Sequence, residues 1–185
     1  DSALTAALSV RALGKDKVLG VFLPEKESNP ISLTYGELLA KKLGIRTEKV
    51  DLTQALESLG CYKKRDEVIK KISPAYDSSY KIKIGLPQDL LERDRINYFS
   101  LKMISPKGEE KSFRLSKEGL LGIVAATDMK QRSRMIQLYY YAEKYNYMVI
   151  GTTNLSEYAQ GFYVKFGDGG VDLEPIAHLY KTQVY

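Results

Sequence analysis

The chain has 185 residues, 44% of them hydrophobic, which suits one domain with a buried core and argues against two full domains. Its 28 basic and 23 acidic residues leave a net charge of +5, compatible with anionic small molecules and too mild an excess to indicate nucleic acid. No apolar run approaches the roughly 18 residues that span a bilayer; the single cysteine, Cys61, excludes an internal disulfide and any zinc site built on several thiolates, which predicts a reducing, cytoplasmic setting.

The first element is a helix. "ALTAALSVRALG" places Leu4, Leu8 and Leu13 near one face, with Gly14 as its stop. Asp1-Ser2 precedes it, and a short polar side chain there suits a helix cap. "KVLGVFLP" (17–24) reads as a buried strand closed by proline. "SLTYGELLAKKLGI" is the next helix, with capping-box spacing between Thr34 and Glu37, an apolar face of Leu38, Leu39 and Leu43, and Gly44 at its end. "RTEKVDL" (46–52) is the second strand. Strand, helix and strand with short connections imply a parallel sheet, because parallel neighbours need a crossover.

The middle breaks this rhythm. "CYKKRDEVIKKISPAYD" is charged and helical at best, and its basic residues at 63–65 and 70–71 read as a solvated face. In "INYFSLKMISPKGEEKSFRL", two β-rich runs flank Pro106-Lys107-Gly108 and predict a hairpin. The stretch from about 80 to 117 therefore reads as an insertion or lid. The α/β pattern resumes in "QRSRMIQLYYYAEKYNY", where Met135, Leu138, Tyr139 and Ala142 have helical spacing. The tyrosines there suit a core or a subunit interface better than a stacking surface for bases. "YMVIG" (147–151) is expected to be a buried strand. The chain opens directly on Asp1-Ser2 and closes on "LYKTQVY", a helix stopped early, so the single domain reads as truncated at both ends.

Ligands of open α/β sheets bind beyond the carboxyl ends of the strands. There "GTTNLSE" (151–157) offers Gly151 for close backbone approach, two threonine hydroxyls, and Glu157 as a carboxylate suited to Mg²⁺ carrying phosphate. The same residues also make a good turn and helix start. Asp1 at a helix N-terminus would repel bare phosphate unless a metal lay between them, which pairs Asp1 with Glu157 on one magnesium. "GFYVKFGDGGVDLEP" (161–175) sets three glycines among Lys165, Asp168, Asp172 and Glu174. Glycines let the main chain hug a ligand; lysine suits phosphate, and aspartate suits ribose hydroxyls or an amide. Arg132 and Arg134 add anion donors, although singly each suits a surface salt bridge.

"KQRSRM" (130–135), "GTTNLSE", "GFYVKFGDGGVDLEPI" and "LYKTQV" (179–184), in this order, closely resemble NAD synthetase. Asp1-Ser2 resembles the end of that family's Ser-Gly-Gly-x-Asp-Ser pyrophosphate loop. The resemblance is strong over 130–185, weaker over 1–60 and poor over about 61–125. It implies a three-layer, Rossmann-like parallel sheet flanked by helices, of the adenine nucleotide α-hydrolase type, with the β-hairpin as an insertion. It further implies a cytoplasmic homodimer that uses ATP and Mg²⁺ to amidate nicotinic acid adenine dinucleotide with ammonia. The carboxylate would attack the α-phosphorus of ATP, giving an acyl-adenylate and pyrophosphate, and ammonia would then displace AMP to leave NAD. Carried over by motif, Asp1 and Glu157 resemble Mg²⁺ ligands with catalytic roles. Asp1, Ser2, Thr152 and Lys181 are similar to ATP contacts, and Arg132, Lys165 and Asp172 resemble residues that hold the dinucleotide. Asp168 and Glu174 have weaker claims, bracing and ending the glycine turn.

Two departures from the family pattern stand out. Val164 and Phe166 flank the lysine where threonine and tyrosine are usual, and the 61–125 segment replaces a short linker. Both leave room for a related ATP-dependent ligase acting on another carboxylate. A tRNA-thiolating enzyme would commonly need paired cysteines, and a nucleotide-binding regulatory module would keep the loops without turnover. No glutaminase is recognisable in the chain, so ammonia would arrive free or from a separate glutaminase.

Overall fold

The computed structural model describes residues 1–86 and 98–185. The chain divides into two compact units, one formed by Asp1–Ser58 with Asp128–Tyr185 and the other by Leu59–Thr127.

The first unit begins with α1 (Ser2–Leu13), which ends at Gly14 as its sequence predicts. Its buried stripe is Thr5 and Ser9, with Leu8 and Leu13 exposed, so the leucine face read from the spacing is not the packed one. The Ser9 hydroxyl instead donates to the Thr5 carbonyl (2.8 Å), which satisfies it in the helix. β1 (Leu19–Phe22) and β2 (Arg46–Lys49) pair in parallel, joined by α2 (Pro30–Leu43). Both strands are shorter than expected, yet Val50 N–H donates to the Phe22 carbonyl and Leu52 N–H to the Pro24 carbonyl (both 2.9 Å). The parallel pairing thus runs to the limits read from the sequence.

α2 starts a turn earlier than the Thr34–Glu37 spacing implied. Asn29 is the N-cap, its side chain accepting from Ile31 N–H (3.1 Å), and Pro30 opens the helix where its missing N–H costs nothing. Thr34 lies inside the helix and donates to the Pro30 carbonyl. Gly44 closes α2 in the left-handed conformation (φ 69°), as read. Leu38 is exposed, while Ala40 is buried and Leu39 and Leu43 are partly so. A short helix, α3 (Thr53–Ser58), completes this stretch and buries Leu56 entirely.

The second unit contains α4 (Cys61–Ile72) and an antiparallel sheet ordered β3 (Lys81–Gly85), β4 (Ser100–Ile104), β5 (Glu110–Arg114). The predicted hairpin is β4–β5, with Gly108 at φ 85° donating to the Ser105 carbonyl in the turn (2.9 Å). Ile96 and Asn97, at the start of the predicted run, lie outside the described residues. The third strand, β3, lies outside the predicted hairpin, and its signal is the period-2 alternation in Lys81-Ile82-Lys83-Ile84. Leu101 and Met103 on the central strand are buried with Ile69, Tyr76, Leu115 and Ile123, which gives this unit its own core.

Arg65 is not part of a solvated face. It is buried, donates from Nε and a terminal nitrogen to Asp66 (2.9 and 2.8 Å), and lies over the Tyr62 ring. Asp66 also accepts from the Tyr76 hydroxyl (3.0 Å), and burial together with this bond pushes Tyr76 up to about 12. Cys61 is buried and donates to the Ala126 carbonyl (3.1 Å), a structural thiol.

α5 (Lys117–Tyr145) runs through the boundary at Thr127 and is much longer than the segment read from residue 131 onward. Met135 and Ala142 on it pack with Val149, Leu138, Tyr139 and Val171 in the first unit, so the tyrosine cluster does join a core. Tyr140 faces outward. The expected strand 147–151 reduces to a single parallel bridge, Ile150 to Leu173, and the fold closes with α6 (Leu155–Gln160) and α7 (Lys181–Val184). The architecture is α/β, with a parallel sheet flanked by helices, as expected. No helix among the described residues is long and apolar enough to cross a membrane.

Candidate functional site

Two groups of predicted site residues lie in the first unit. The first forms around Asp1. Its backbone carbonyl accepts the first bond of α1, from Thr5 N–H (3.0 Å), but its side chain caps nothing. The carboxylate instead pairs through Oδ2 with the ammonium of Lys181, 180 positions along the chain. Oδ1 is buried and has no hydrogen-bond partner. An acceptor left unpaired in this way is costly unless something cationic reaches it.

The loop before α6 meets the start of α7 beside this pair. Lys181 N–H donates to Ser156 Oγ (3.0 Å), and Leu155 N–H donates to the Leu179 carbonyl (2.9 Å). Glu157 follows Ser156 directly. It closes a capping box with Asn154: Oε2 accepts from Asn154 N–H (3.0 Å) and Nδ2 (2.8 Å), and Glu157 N–H donates to Asn154 Oδ1 (3.2 Å). The helix-start reading of "GTTNLSE" is therefore correct. The box fixes one carboxylate oxygen of Glu157 while leaving the residue only partly buried. Thr152 is half-buried in the same loop, and Ser2 is exposed at the first turn of α1.

Among the described residues no group of three or more His, Cys, Asp or Glu side chains is placed to hold a metal. Mg²⁺ is commonly held by one or two carboxylates, with phosphates and water supplying the rest. The orphaned Oδ1 of Asp1 fits that kind of partial protein coordination.

The second group gathers around the glycine turn. Asp168 Oδ1 accepts from Val164 N–H (2.9 Å), and Gly167 and Gly169 N–H both donate to the Val164 carbonyl (2.8 and 3.2 Å), so Asp168 braces the turn. None of its three glycines has a positive φ; the residue that does is Phe166, at 61°. The glycines are needed for space. A Cβ on Gly167 would lie 2.8 Å from Gln131 Cβ, and one on Gly169 would lie 2.7 Å from the Tyr163 ring. Freedom to hug a ligand was the sequence reading; close packing of the turn on itself and on α5 is what the structure shows.

That packing projects side chains outward. Arg132 Nε donates to the Lys165 carbonyl (3.1 Å), and its guanidinium lies 3.9 Å from Asp128. Burial raises the Asp128 carboxyl above its ordinary value against the pull of Arg132, and Asp168 adds to the rise. The Lys165 ammonium sits 5.1 Å from the Phe166 ring centroid. Arg132, Met135, Ile136, Tyr139, Phe166 and Gly170 line an open groove of about 420 Å³. Arg134 turns elsewhere, donating to the Leu23 carbonyl (3.3 Å) and Gln131 (3.0 Å), as a structural arginine.

Asp172 accepts from the Tyr139 hydroxyl (2.9 Å) and from Val149 N–H (2.8 Å), so its carboxylate ties the turn to α5 and to the 147–151 segment. Burial, then this bond, raises Tyr139 above its usual value. Asp172 also borders a smaller recess of about 270 Å³ with Tyr158, Gly169, Val171, Leu173 and Glu174. A hydrogen bond to Glu174, reinforced by burial, pushes Tyr158 up to about 12. Glu174 is thus more than the end of a turn, a role its position before Pro175 did not signal.

Gly151 joins the two groups. A Cβ there would meet Val171 Cγ2 at 2.5 Å and Glu174 Cγ at 2.9 Å. Val171 is short and β-branched and cannot swing aside, so Gly151→Ala is expected to cost about 1–3 kcal/mol as an overpacked site. A fall in Tm by thermal denaturation of several degrees checks it, and an unchanged Tm would show that the loop relaxes freely.

The fold is shared with solved structures. An NMN synthetase from Francisella tularensis superposes with a TM-score of 0.62 at 22% identity, covering 99% of this chain and 53% of that one. An NH3-dependent NAD synthetase from Campylobacter jejuni gives 0.62 at 23%, covering 100% and 56%. A family model described as NAD synthase matches residues 1–76 and 89–185, and the chain belongs to the NAD synthase family. Similar relatives are the NH3-dependent NAD+ synthetases of Rhizobium meliloti (44% identical over 185 residues) and Thermotoga maritima (37% over 185). Each alignment takes in all of this chain, but only 55% and 60% of those proteins, so the chain spans little more than half their length. The alignments run through 61–125 as well, and that segment is shared with these relatives rather than foreign to them.

Proposed function

We propose that the protein of which this chain forms part amidates nicotinic acid adenine dinucleotide to NAD, using ATP and ammonia and releasing AMP and pyrophosphate. The observation that carries this reading is the contact between Asp1 and Lys181, with the unpartnered Asp1 Oδ1 beside it. Family membership supplies the reaction class, and this contact joins two residues assigned to ATP from opposite ends of the sequence.

In this reading Asp1 and Glu157 would hold Mg²⁺, which would supply positive charge for the phosphates of ATP and the departing pyrophosphate. Ser2 and Thr152 donate hydroxyl hydrogen bonds to the nucleotide, and Lys181 adds a positive charge as negative charge develops. Arg132 and Lys165 bind the phosphates of the dinucleotide along the groove beside Phe166. Asp172 orients its far end, while its bonds to Tyr139 and Val149 keep the turn rigid. Held in this way, the nicotinate carboxylate attacks the α-phosphorus and the acyl-adenylate forms with little entropy left to lose. Ammonia, free or delivered by a separate glutaminase, then attacks the acyl carbon, AMP leaves, and the proton lost by nitrogen passes to solvent.

We assign the chain to one ATP-pyrophosphatase-type domain that carries the Leu59–Thr127 unit within it, and the working protein to a cytoplasmic homodimer. Exposed Ile136 and Tyr140 on α5 support an assembly face on the first unit. ATP–pyrophosphate exchange in the full-length protein tests the first half-reaction. Exchange that depends on the dinucleotide supports the assignment. Exchange driven by a different carboxylic acid would favour the related ligase.

A further inference from the structure

We propose that Lys181 is a stand-in cation, holding the Asp1 carboxylate in place until Mg²⁺ and ATP arrive together, and that its release delivers the ammonium to the nucleotide. The inference rests on the metal assignment proposed above and concerns what holds that site beforehand.

Asp1 and Lys181 pair directly, with side chains only 20% and 38% exposed, respectively. A carboxylate so placed, with Oδ1 buried and unpartnered, is poorly solvated and needs a cation nearby. The lysine supplies one charge at one oxygen, which leaves Oδ1 for a better partner. Its backbone is anchored by the bond from Lys181 N–H to Ser156 Oγ (3.0 Å), so the ammonium alone can move on its flexible stem. The Tyr185 ring lies 5.4 Å from Nζ.

A divalent ion on Asp1 would repel an ammonium at the same carboxylate. The arrangement becomes favourable when phosphate oxygens sit between them and accept from both. Metal alone must therefore displace Lys181 without recompense, whereas metal with nucleotide gives the ammonium a new anion. Mg²⁺ and ATP are then coupled in binding, and each strengthens the other by the same factor. A lysine that only touches ATP would have no effect on metal binding in the absence of nucleotide.

The test is binding of Mn²⁺ alone to full-length protein without nucleotide, followed by loss of the free-ion electron paramagnetic resonance signal. Lys181→Met is expected to tighten Mn²⁺ on the order of tenfold, the worth of one charge-assisted contact. Lys181→Arg, which keeps a cation beside Asp1, should stay near the wild-type affinity. Asp1→Asn should abolish the site in either background, and it removes no helix cap because the Asp1 side chain makes none. If Lys181→Met binds Mn²⁺ no more tightly than wild type while Asp1→Asn still loses it, the stand-in role is overturned and the metal assignment stands. If Asp1→Asn binds Mn²⁺ like wild type, the metal assignment itself fails, and this inference with it.

Discussion

Glu157→Gln should lower ATP–pyrophosphate exchange by about a hundredfold or more at low Mg²⁺, because Lewis-acid stabilisation of a phosphoryl reaction is worth several kcal/mol. The substitution is unusually clean here. Glutamine is the other residue type that completes a capping box, and its amide oxygen can accept the bonds that Glu157 Oε2 takes from Asn154. The start of α6 should persist, and thermal stability should change little. What is lost is the negative charge. Raising Mg²⁺ should recover part of the rate, as expected when affinity for the ion has fallen. Wild-type exchange at low Mg²⁺ would remove Glu157 from the metal site.

Lys165→Ala should raise the KM for the dinucleotide about ten- to a hundredfold and leave the KM for ATP unchanged. One charge-assisted hydrogen bond to phosphate is worth roughly 1.5–3 kcal/mol. The exposed ammonium lies over Phe166, one of the residues that line the groove. Its backbone carbonyl, which holds Arg132, survives the change. Asp172→Ala should raise the same KM but also lower Tm, since it releases both Tyr139 and Val149 N–H. Steady-state kinetics varying each substrate separately will show whether the two constants move apart. Equal rises in both would mean that the groove serves ATP.

The legible parts of this molecule were those governed by local rules. Gly14 and Gly44 ended helices where a left-handed or open residue was needed, and Pro106-Lys107-Gly108 turned a hairpin. Asp168 bracing its turn was also readable, because short acidic side chains bond nearby N–H groups. Long-range partners were not. Nothing near Asp1 in sequence points to Lys181, and nothing near Arg134 points to the Leu23 carbonyl. The glycine turn illustrates the limit. Its composition suggested backbone freedom, while packing against Gln131 and Tyr163 is what forbids larger residues. The 147–151 segment has strand composition, yet Asp172 takes the Val149 N–H that a ladder would have used. α2 starts at Asn29-Pro30, a stronger start signal than the Thr34–Glu37 pattern further along.

The reaction itself is the most direct test. Full-length protein incubated with nicotinic acid adenine dinucleotide, ATP, Mg²⁺ and ammonium should yield NAD, AMP and pyrophosphate in equal amounts, followed by chromatography of the nucleotides. Omitting ammonium should halt NAD formation while ATP–pyrophosphate exchange continues, since adenylation precedes nitrogen attack. A well-folded full-length protein that forms no NAD from these substrates, and shows no exchange in their presence, would contradict the account.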